Sequence, residues 1–412
     1  MKAEMVRCWM LKGTFLTKFG ISARSTIANV VLISNAFIWY SFAFNILKVL
    51  ISETALVVWS VHFAGAIFSA IAGAALIDRI HRRTAFLVFW MAFGILSSLI
   101  LLVINPPSTL CVFVISLLFG VSFGLGLPAS MGYFADCTVV ENRAKLGGLI
   151  LFVNGLGSLL LGITAVDSII LQALILAIWR GSGLVVFLAI KPHQEIVQKR
   201  RSVFFRSILN QRSFILYLIP WIMFSLANFL SWPVQFDILD PDLVEFFITI
   251  ESALAGVFAI VGGFLSDIIG RKRITITGFI MIGLGYAILG IYPEHLLSWY
   301  FYALVDGVAW GIFSVIFIIT LWGDLSYSAS SAKYYALGGI PYFLSNFLRL
   351  IIGSYIAETV SAYAIFSLTA FFLFLAVLPL MYAPETLPEK KIKERELEKY
   401  IEKAKKIKEK YE

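Results

Sequence analysis

The sequence predicts an all-α integral membrane protein with twelve transmembrane helices in two pseudo-symmetric six-helix bundles. Its 412 residues are 60% hydrophobic and only 14% charged, whereas a soluble domain carries about 25% charged residues. Twelve runs are long and apolar enough to cross a bilayer, for which about 20 residues are needed. A short polar turn recurs at the same place in the two halves of the chain. These three observations together predict the fold class.

The twelve apolar runs divide the chain into five regions. The predicted spans are residues 27–48, 54–77, 84–105, 109–135, 145–165, 168–190, 214–235, 243–266, 273–292, 297–322, 334–356 and 361–383. The regions are a cytoplasmic N-terminal segment (1–26), an N-terminal six-helix bundle (27–190), a cytoplasmic linker (191–213), a C-terminal six-helix bundle (214–383) and a charged cytoplasmic tail (384–412).

The repeated turn joins spans 2 and 3 and again spans 8 and 9. Gly263–Arg273 reads GFLSDIIGRKR, and Ala74–Arg83 reads AALIDRIHRR. Asp267 stands 189 positions after Asp78, and the same offset aligns small and apolar residues of the preceding helix. We infer that a six-helix unit has been used twice.

This turn resembles the cytoplasmic loop signature of the major facilitator superfamily, G-x-L-x-D-R-x-G-R-R/K. The second copy retains Gly263, Leu265, Asp267, Gly270, Arg271 and Lys272. The first copy retains Leu76, Asp78, Arg79, Arg82 and Arg83, with Ala74 and His81 in place of the two glycines. The resemblance implies a conformational latch between the two bundles, made by Asp78, Arg82, Arg83, Asp267, Arg271 and Lys272. It also implies twelve helices around a central cavity.

The distribution of charge predicts the orientation in the membrane. If both termini are cytoplasmic, all but three of the 33 Lys and Arg residues fall on the cytoplasmic side. The exceptions are Lys48, Arg180 and Arg349. Because positive residues concentrate on the cytoplasmic side of membrane proteins, we expect a multi-pass protein of the cell membrane with this orientation. The basic linker is expected to contact anionic lipids, so the net charge of +8 does not indicate a nucleic-acid partner.

The motifs of soluble enzymes are missing from the sequence. Three scattered cysteines, Cys8, Cys111 and Cys137, form neither a disulfide framework nor a zinc-binding pattern. Walker, HExxH and GxSxG motifs are absent as well. We therefore predict that the protein is not an enzyme, has no cofactor or metal site, and is not an ATP-driven pump.

Four ionisable residues inside the predicted spans are candidates for proton coupling, because charge within a membrane is costly and usually functional. They are Asp306, Glu251, Arg349 and His62. His62 and Glu251 each precede a signature aspartate by 16 residues. Asp306 and Arg349 lie at similar depth on consecutive antiparallel spans, so we expect them to form an ion pair. The alternative interpretation for each is a packing role within the bundle.

Amide and aromatic residues within the spans are the candidates for substrate contact. They are Asn35, Asn154, Asn228, Trp232, Gln235 and Asn346. The densest polar group lies in span 7, and the family resemblance implies that this helix lines the cavity. The sequence assigns no role to Arg180.

The sequence therefore favours a secondary active transporter that moves a small solute by alternating access, coupled to protons. Symport is slightly favoured, because span 5 lacks the proline-containing motif that the resemblance associates with antiporters. A proton-coupled efflux antiporter and a non-transporting membrane sensor are the alternatives. The expected partners are a small-molecule substrate, protons and membrane lipids, and the protein is expected to be a monomer.

The predicted orientation can be tested by labelling single cysteines at positions 2, 240 and 412 in a chain without its native cysteines. A membrane-impermeant maleimide applied to intact cells should react only at position 240, because the acidic loop around Asp240 faces outward. Permeabilised cells provide the control, in which all three positions should react. Labelling of position 2 or 412 in intact cells would contradict the orientation.

Overall fold

The computed structural model describes residues 23–51, 55–80, 82–103, 108–163, 168–190, 202–327 and 329–387. The regular elements of these residues are helices. Most of the predicted N-terminal segment, the first part of the linker and nearly all of the charged tail lie outside the described residues.

In the described residues, twelve long helices follow one another in the order that the hydrophobic runs predict. They are α1 (Ala23–Leu50), α2 (Ala55–Ile77), α3 (Arg83–Leu102), α4 (Thr109–Cys137), α5 (Val140–Ile163), α6 (Ile169–Ile190), α7 (Arg212–Ile238), α8 (Pro241–Ile269), α9 (Arg271–Ile291), α10 (Leu296–Leu325), α11 (Ser331–Thr359) and α12 (Ala362–Tyr382). Eleven of them are long and apolar enough to cross a membrane. The remaining helix, α5, occupies the predicted fifth span. The predicted fold class is confirmed.

Several helices extend beyond the apolar runs that predict them. Helix α5 begins five residues before the predicted span, and α11 exceeds its predicted span by three residues at each end. The added turns contain polar and charged residues, among them Glu141, Arg143 and Lys333. Backbone hydrogen bonds continue a helix whether or not its side chains are apolar, so hydropathy underestimates helix length.

Helices α2 and α4 pack with their backbones in direct contact. A Cβ atom built on Gly120 would lie 2.2 Å from the carbonyl oxygen of His62, and one on Gly124 would lie 2.1 Å from that of Ala66. Only glycine permits such a close approach, which is a common way for helices to associate in a membrane.

The same contact occurs between α8 and α10 in the second half. A Cβ atom on Gly307 would lie 2.9 Å from the carbonyl oxygen of Glu251, and one on Gly311 would lie 2.8 Å from that of Ala255. Glu251 and Ala255 stand 189 positions after the residues that α4 contacts in the first half. The repeat seen in the sequence is therefore also a repeat of helix packing.

Helices α5 and α8 bring the two halves together, as do α2 and α11. A Cβ atom on Gly148 would lie 2.4 Å from the carbonyl oxygen of Ala259, and one on Gly263 would lie 2.3 Å from that of Ala144. We call the end of the bundle that carries Asp78 and Asp267 the signature end, and the opposite end the far end. The halves are in close contact near the signature end.

The glycine contacts predict a large difference between two Gly→Ala variants. In Gly73→Ala, the new Cβ would lie 1.8 Å from the carbonyl oxygen of Leu125, and such overpacking costs about 1–3 kcal/mol. In Gly256→Ala, nothing lies within 4 Å of the new Cβ, and alanine favours a helix by about 1 kcal/mol. Thermal unfolding of the purified protein should show a lower melting temperature for Gly73→Ala only. Equal melting temperatures would contradict the packing.

Candidate functional site

A buried carboxylate at the signature end joins the two halves. Asp267, at the end of α8, has no exposed surface and forms an ion pair with Arg271 at 2.6 Å. Its oxygens also accept hydrogen bonds from the backbone N–H groups of Ala144 and Lys145, at 3.3 and 2.8 Å. These groups lie in the second turn of α5, close to the helix N-terminus, where the helix dipole favours negative charge. The second half thus binds the start of a helix of the first half.

A second buried aspartate extends this network. Asp324, in α10, contacts Arg271 at 2.9 Å and Arg143 at 2.5 Å. Arg143 comes from α5 and also donates to the carbonyl oxygen of Ala135 at 2.7 Å. Asp324 therefore binds one arginine from each half. We call Asp267, Arg271, Asp324 and Arg143 the charge cluster.

Asp78, in the first half, forms the corresponding contact with a helix of the second half. Its carboxylate pairs with Lys333 of α11 at 2.7 Å and accepts hydrogen bonds from Ser330 and Ser202. The first half thus reaches the start of a helix of the second half, as Asp267 does in the opposite sense.

The other three predicted latch residues form no hydrogen bond or ion pair with described residues of the opposite half. Arg83 pairs with Asp136 of α4, and Lys272 donates to the carbonyl oxygen of Met381 at 2.6 Å. Arg82 is exposed at the start of α3. Of the six residues, Asp78, Asp267 and Arg271 contact described residues of the opposite half directly.

Arg143, Asp324 and Glu385 belong to this end of the molecule but were not among the predicted site residues. Glu385 accepts hydrogen bonds from the backbone N–H groups of Arg271 and Lys272, at 2.9 and 3.1 Å, and so caps α9. The preceding Gly270 has a φ of 115° and its Cβ position is filled by Glu385, so glycine is required there. The internal repeat could have identified Asp324, because it stands 188 positions after Asp136 and both residues lie at the end of equivalent spans.

A cavity of about 550 Å³ lies between the halves. One face of α1 contributes Ser41, Asn45 and Lys48, which are solvent-exposed although all three lie within the predicted span 27–48. Solvent therefore enters from the far end. The buried Trp322 and Tyr335 line the cavity toward the signature end, where the charge cluster closes the path.

Aromatic side chains make up much of the cavity wall. They are Phe37, Tyr40, Phe44, Phe123, Trp221, Phe229, Trp232, Trp310, Phe317, Trp322, Tyr335, Tyr342 and Phe343. The polar lining consists mainly of serine and asparagine side chains, at Ser41, Asn45, Asn154, Ser158, Ser252, Ser314 and Asn346. A wall of this type suits a ligand with a substantial apolar body and few polar groups.

An irregular segment of α10 forms part of the cavity floor. Ser314–Thr320 is a π-helix, a form that often occurs at functional sites. Two of its carbonyl groups accept bonds from side chains, Phe317 from the Trp322 indole and Ile319 from the Tyr335 hydroxyl, each at 2.5 Å. These bonds satisfy the backbone where the α-helical pattern is interrupted.

Half of the predicted substrate-contact residues line the cavity. Asn154, Trp232 and Asn346 do so. Asn35 instead lies inside the first half, where its amide donates to the carbonyl oxygen of Trp179 at 2.7 Å. Asn228 and Gln235 lie inside the second half, in the polar group described next.

A buried polar group occupies the interior of the second half. Tyr286 is bonded to Asn228 at 3.1 Å, Ser231 at 2.8 Å and Tyr302 at 3.0 Å, and Gln235 donates to Tyr302 at 3.2 Å. Asp306 follows Tyr302 by about one turn of α10 and is likewise buried. Glu251 is close to it, since Gly307 packs on the Glu251 backbone.

The expected ion pair between Asp306 and Arg349 is wrong. Both residues lie about ten residues from the far end of their helix, but they face different environments. Asp306 is 2% exposed and faces the polar group inside the second half. Arg349 lines the cavity, where it donates twice to Asn346 and lies 4.7 Å from the Trp232 ring centroid. Depth along a helix does not specify which face a side chain occupies.

His62 lies behind the cavity wall and orients a residue that lines it. Its Nδ1 lies 3.0 Å from the carbonyl oxygen of Ser116, and its Nε2 lies 2.9 Å from the hydroxyl of Tyr40. A carbonyl can only accept, so Nδ1 carries the proton of the neutral ring and Nε2 accepts from Tyr40. The Tyr40 hydroxyl therefore offers the cavity only acceptor lone pairs.

Arg180, to which the sequence pattern assigns no role, packs inside the first half. It donates to Asn35 Oδ1 at 2.9 Å and its guanidinium lies 4.3 Å from the Trp90 ring centroid. Trp39 lies on another side at 5.8 Å. Cation–π contacts and one amide oxygen stabilise this buried cation.

The second half of the chain matches a known family in sequence. The sequence model of the Major Facilitator Superfamily matches residues 207–410. No curated protein sequence is significantly similar to this chain.

Solved structures of this superfamily share the fold of the whole described chain. The human organic anion transporter MFSD10 has a TM-score of 0.66 at 13% identity, covering 87% of this chain and 99% of its own. The proton:xylose symporter XylE has a TM-score of 0.62 at 16% identity, and the match covers 88% of this chain and 96% of XylE. A bacterial homologue of the iron transporter ferroportin in an outward-facing state has a TM-score of 0.70 at 13% identity, and the match covers 87% of this chain and 98% of the homologue. At these identities the similarity concerns the fold, and it confirms the predicted resemblance.

The charge cluster predicts that Asp267→Asn opens the signature end more than Asp78→Asn does. Asp267 is fully buried and holds a charged partner together with two N–H groups of the opposite half. Breaking a buried ion pair costs about 3–5 kcal/mol, and this cost falls on the closed state. The Asp78 side chain keeps 6% exposure and its lysine partner 9%, whereas Asp267 and Arg271 have none, so the loss of Asp78 should cost less.

Distances between spin labels at exposed positions of the two halves measure this opening. Labels at Arg79 and Tyr382 report on the signature end, and labels at Val49 and Leu297 report on the far end. The Arg79–Tyr382 distance should gain a longer population in Asp267→Asn. Asp242→Asn, at an exposed position of α8, is the matched control. Unchanged distributions in Asp267→Asn would rule out the latch.

Proposed function

Because the chain has the fold of major facilitator superfamily transporters and its second half matches that family in sequence, we propose that it is a secondary active transporter. It moves a small solute across the membrane by alternating access. The observation that carries this proposal is the cavity between the halves, open toward the far end and closed at the signature end by the charge cluster. A site that is open to one side at a time is the requirement for alternating access.

The charge cluster supports a switch between two states. Its contacts between halves depend on a few ion pairs and N–H groups, which can separate together when the halves rotate. The close contacts of α5 with α8 lie beside the cluster. Rotation of one half against the other would expose the cavity at the signature end while closing the far end.

The proposed orientation places the signature end in the cytoplasm of the cell and the cavity mouth outside. The concentration of Lys and Arg at that end supports this orientation. Both termini would then be cytoplasmic, and the chain would act as a monomer surrounded by lipid. The state described here would be outward-facing.

We further propose that protons drive transport through Glu251 and Asp306. These two acids are neighbours in the interior of the second half, outside the cavity wall, in a group of hydroxyl and amide side chains. A pair of carboxyls in such a place is costly when both are charged, which favours a shared proton. Movement of α8 against α10 would change that proton's surroundings. Uptake by symport is the direction that the proline-free α5 favours.

Transport is tested with protein reconstituted in proteoliposomes. A thermal-shift screen of small solutes first identifies a ligand, and its labelled form is then followed into vesicles with and without an imposed pH gradient. Uptake above that of empty vesicles supports the proposal. Binding without any flux in either direction would favour the sensor, and accumulation only when the gradient is reversed would favour the efflux antiporter.

Replacing each acid by its amide should separate coupling from transport. In Asp306→Asn and Glu251→Gln, accumulation driven by the pH gradient should be lost, whereas exchange of labelled for unlabelled substrate should continue. The reason is that an amide cannot release a proton but can keep the hydrogen bonds of the site. Glu245→Gln, at an exposed position of the same helix as Glu251, is the control and should accumulate normally. Normal accumulation in both acid variants would refute this coupling site.

A further inference from the structure

The charged lining of the cavity has one sign. Lys48 of α1 and Arg349 of α11 are the charged side chains among the described residues that line the cavity, and no aspartate or glutamate lines it. One cation comes from each half of the molecule. The cavity therefore presents net positive charge at the interface that is proposed to open and close.

Neither cation has a carboxylate partner among the described residues. Arg349 donates from Nε and Nη2 to Asn346 Oδ1, at 3.1 and 2.7 Å, and packs over Trp232. These contacts hold the guanidinium in place without neutralising it. The ammonium group of Lys48 lies 5.2 Å from the centroid of Phe44 and forms no ion pair with any described residue.

The two cations carry like charge and line the same cavity, one from each half. Repulsion between like charges is strong where water is limited, so the empty cavity has an unfavourable electrostatic arrangement. One anion between Lys48 and Arg349 would relieve it by pairing with both. A cationic ligand would add a third positive charge without any carboxylate to balance it.

The aromatic part of the cavity wall indicates the chemistry of the rest of the ligand. Trp310 and Phe229 lie in the same aromatic wall as the Trp232 ring that supports Arg349, and Trp221 stacks on Phe317 at 4.8 Å. Aromatic surfaces of this kind bind apolar and aromatic groups through contact area and stacking. A cavity of about 550 Å³ is of the size that binds a small organic molecule.

We propose that the cavity takes an organic anion, with its carboxylate between Lys48 and Arg349 and its apolar or aromatic body against the tryptophans. This substrate class rests on the proposed transport function and specifies it. Because the anion contacts one residue from each half, it would draw the halves together at the far end. That movement is the one needed to close the cavity mouth, so binding of the anion and closure would favour each other.

Three probes with one body and different head groups test the charge preference. They are 4-phenylbutyrate, its primary amide and 4-phenylbutylammonium. Binding to purified full-length protein is measured by quenching of tryptophan fluorescence, since several tryptophans line the cavity. The carboxylate should bind at least 10-fold more tightly than the amide, and the ammonium should bind most weakly. Equal binding of the three, tighter binding of the amide or ammonium, or no binding at all would overturn the proposal.

Variants locate the binding site. Lys48→Gln and Arg349→Gln should each weaken carboxylate binding by about 10-fold, about 1.4 kcal/mol, and leave amide binding nearly unchanged. Arg273→Gln removes an exposed cation at the signature end and should change neither. Lys48 is exposed at the end of its helix, so Lys48→Gln remains informative if Arg349→Gln does not fold. Unchanged carboxylate binding in Lys48→Gln would overturn the site.

Nanodiscs distinguish a soluble anion from a lipid headgroup. If the cations serve phospholipid, then phosphatidylglycerol should compete with 4-phenylbutyrate and phosphatidylcholine should not, and such competition would overturn the proposal. Equal affinity in both lipids supports it. Because these are equilibrium measurements, they stand apart from transport. Selective carboxylate binding without flux would support the anion site and refute the transport function. Flux of a neutral or cationic solute without selective carboxylate binding would support transport and refute the anion site.

Discussion

The pairing of Asp324 with one arginine from each half is the interaction on which the described state depends. Arg271 and Arg143 approach the same carboxylate from opposite sides of the interface, and Asp267 binds both Arg271 and the start of α5. Buried charges are stable only when they are paired and hydrogen-bonded. Separating any one of these four side chains from the cluster would leave a buried charge without a partner, so we expect the contacts of the closed end to break together.

The cavity exists because that closure occurs at one end only. Close glycine contacts between α5 and α8 bring the halves together near the signature end, while the exposed face of α1 shows that they separate toward the far end. The π-helix of α10 lies at the floor between these regions. Its carbonyl groups are bonded by Trp322 and Tyr335, which also line the cavity. Floor and charge cluster are therefore connected through one helix, and Asp324 follows Trp322 by two residues.

The two halves repeat each other in packing but differ in chemistry. His62 and Glu251 occupy equivalent positions, each beneath a glycine of the partner helix. In the first half the residue is a histidine that orients Tyr40 at the cavity wall. In the second half it is an acid whose backbone packs against Gly307, the residue that follows Asp306. Duplication preserved the backbone contact because only glycine fits it, whereas the side chains around that contact could diverge.

The sequence by itself determined the twelve helices, the twofold repeat and the place of the charged turns. Hydropathy and charge bias act along the chain, so they can be read without knowing which helices touch. Asp267 and Arg271 were found through the repeated turn and its resemblance to a family signature, because their spacing is local. The charge cluster was not found, because Arg143 and Asp324 are 181 positions apart and meet only through the packing of the halves.

Only the tertiary structure decided which polar residues face the cavity. Asn154, Trp232 and Asn346 reach it, while Asn35, Asn228 and Gln235 are used inside their own halves. Asp306 and Arg349 each lie about ten residues from the far end of their helix but point into different surroundings. The expected ion pair is therefore replaced by a buried acid and a cation that has no carboxylate partner among the described residues. Hydropathy specifies how deep a side chain lies in the membrane. The direction it faces is set by helix rotation, and helix rotation is fixed by contacts between distant helices.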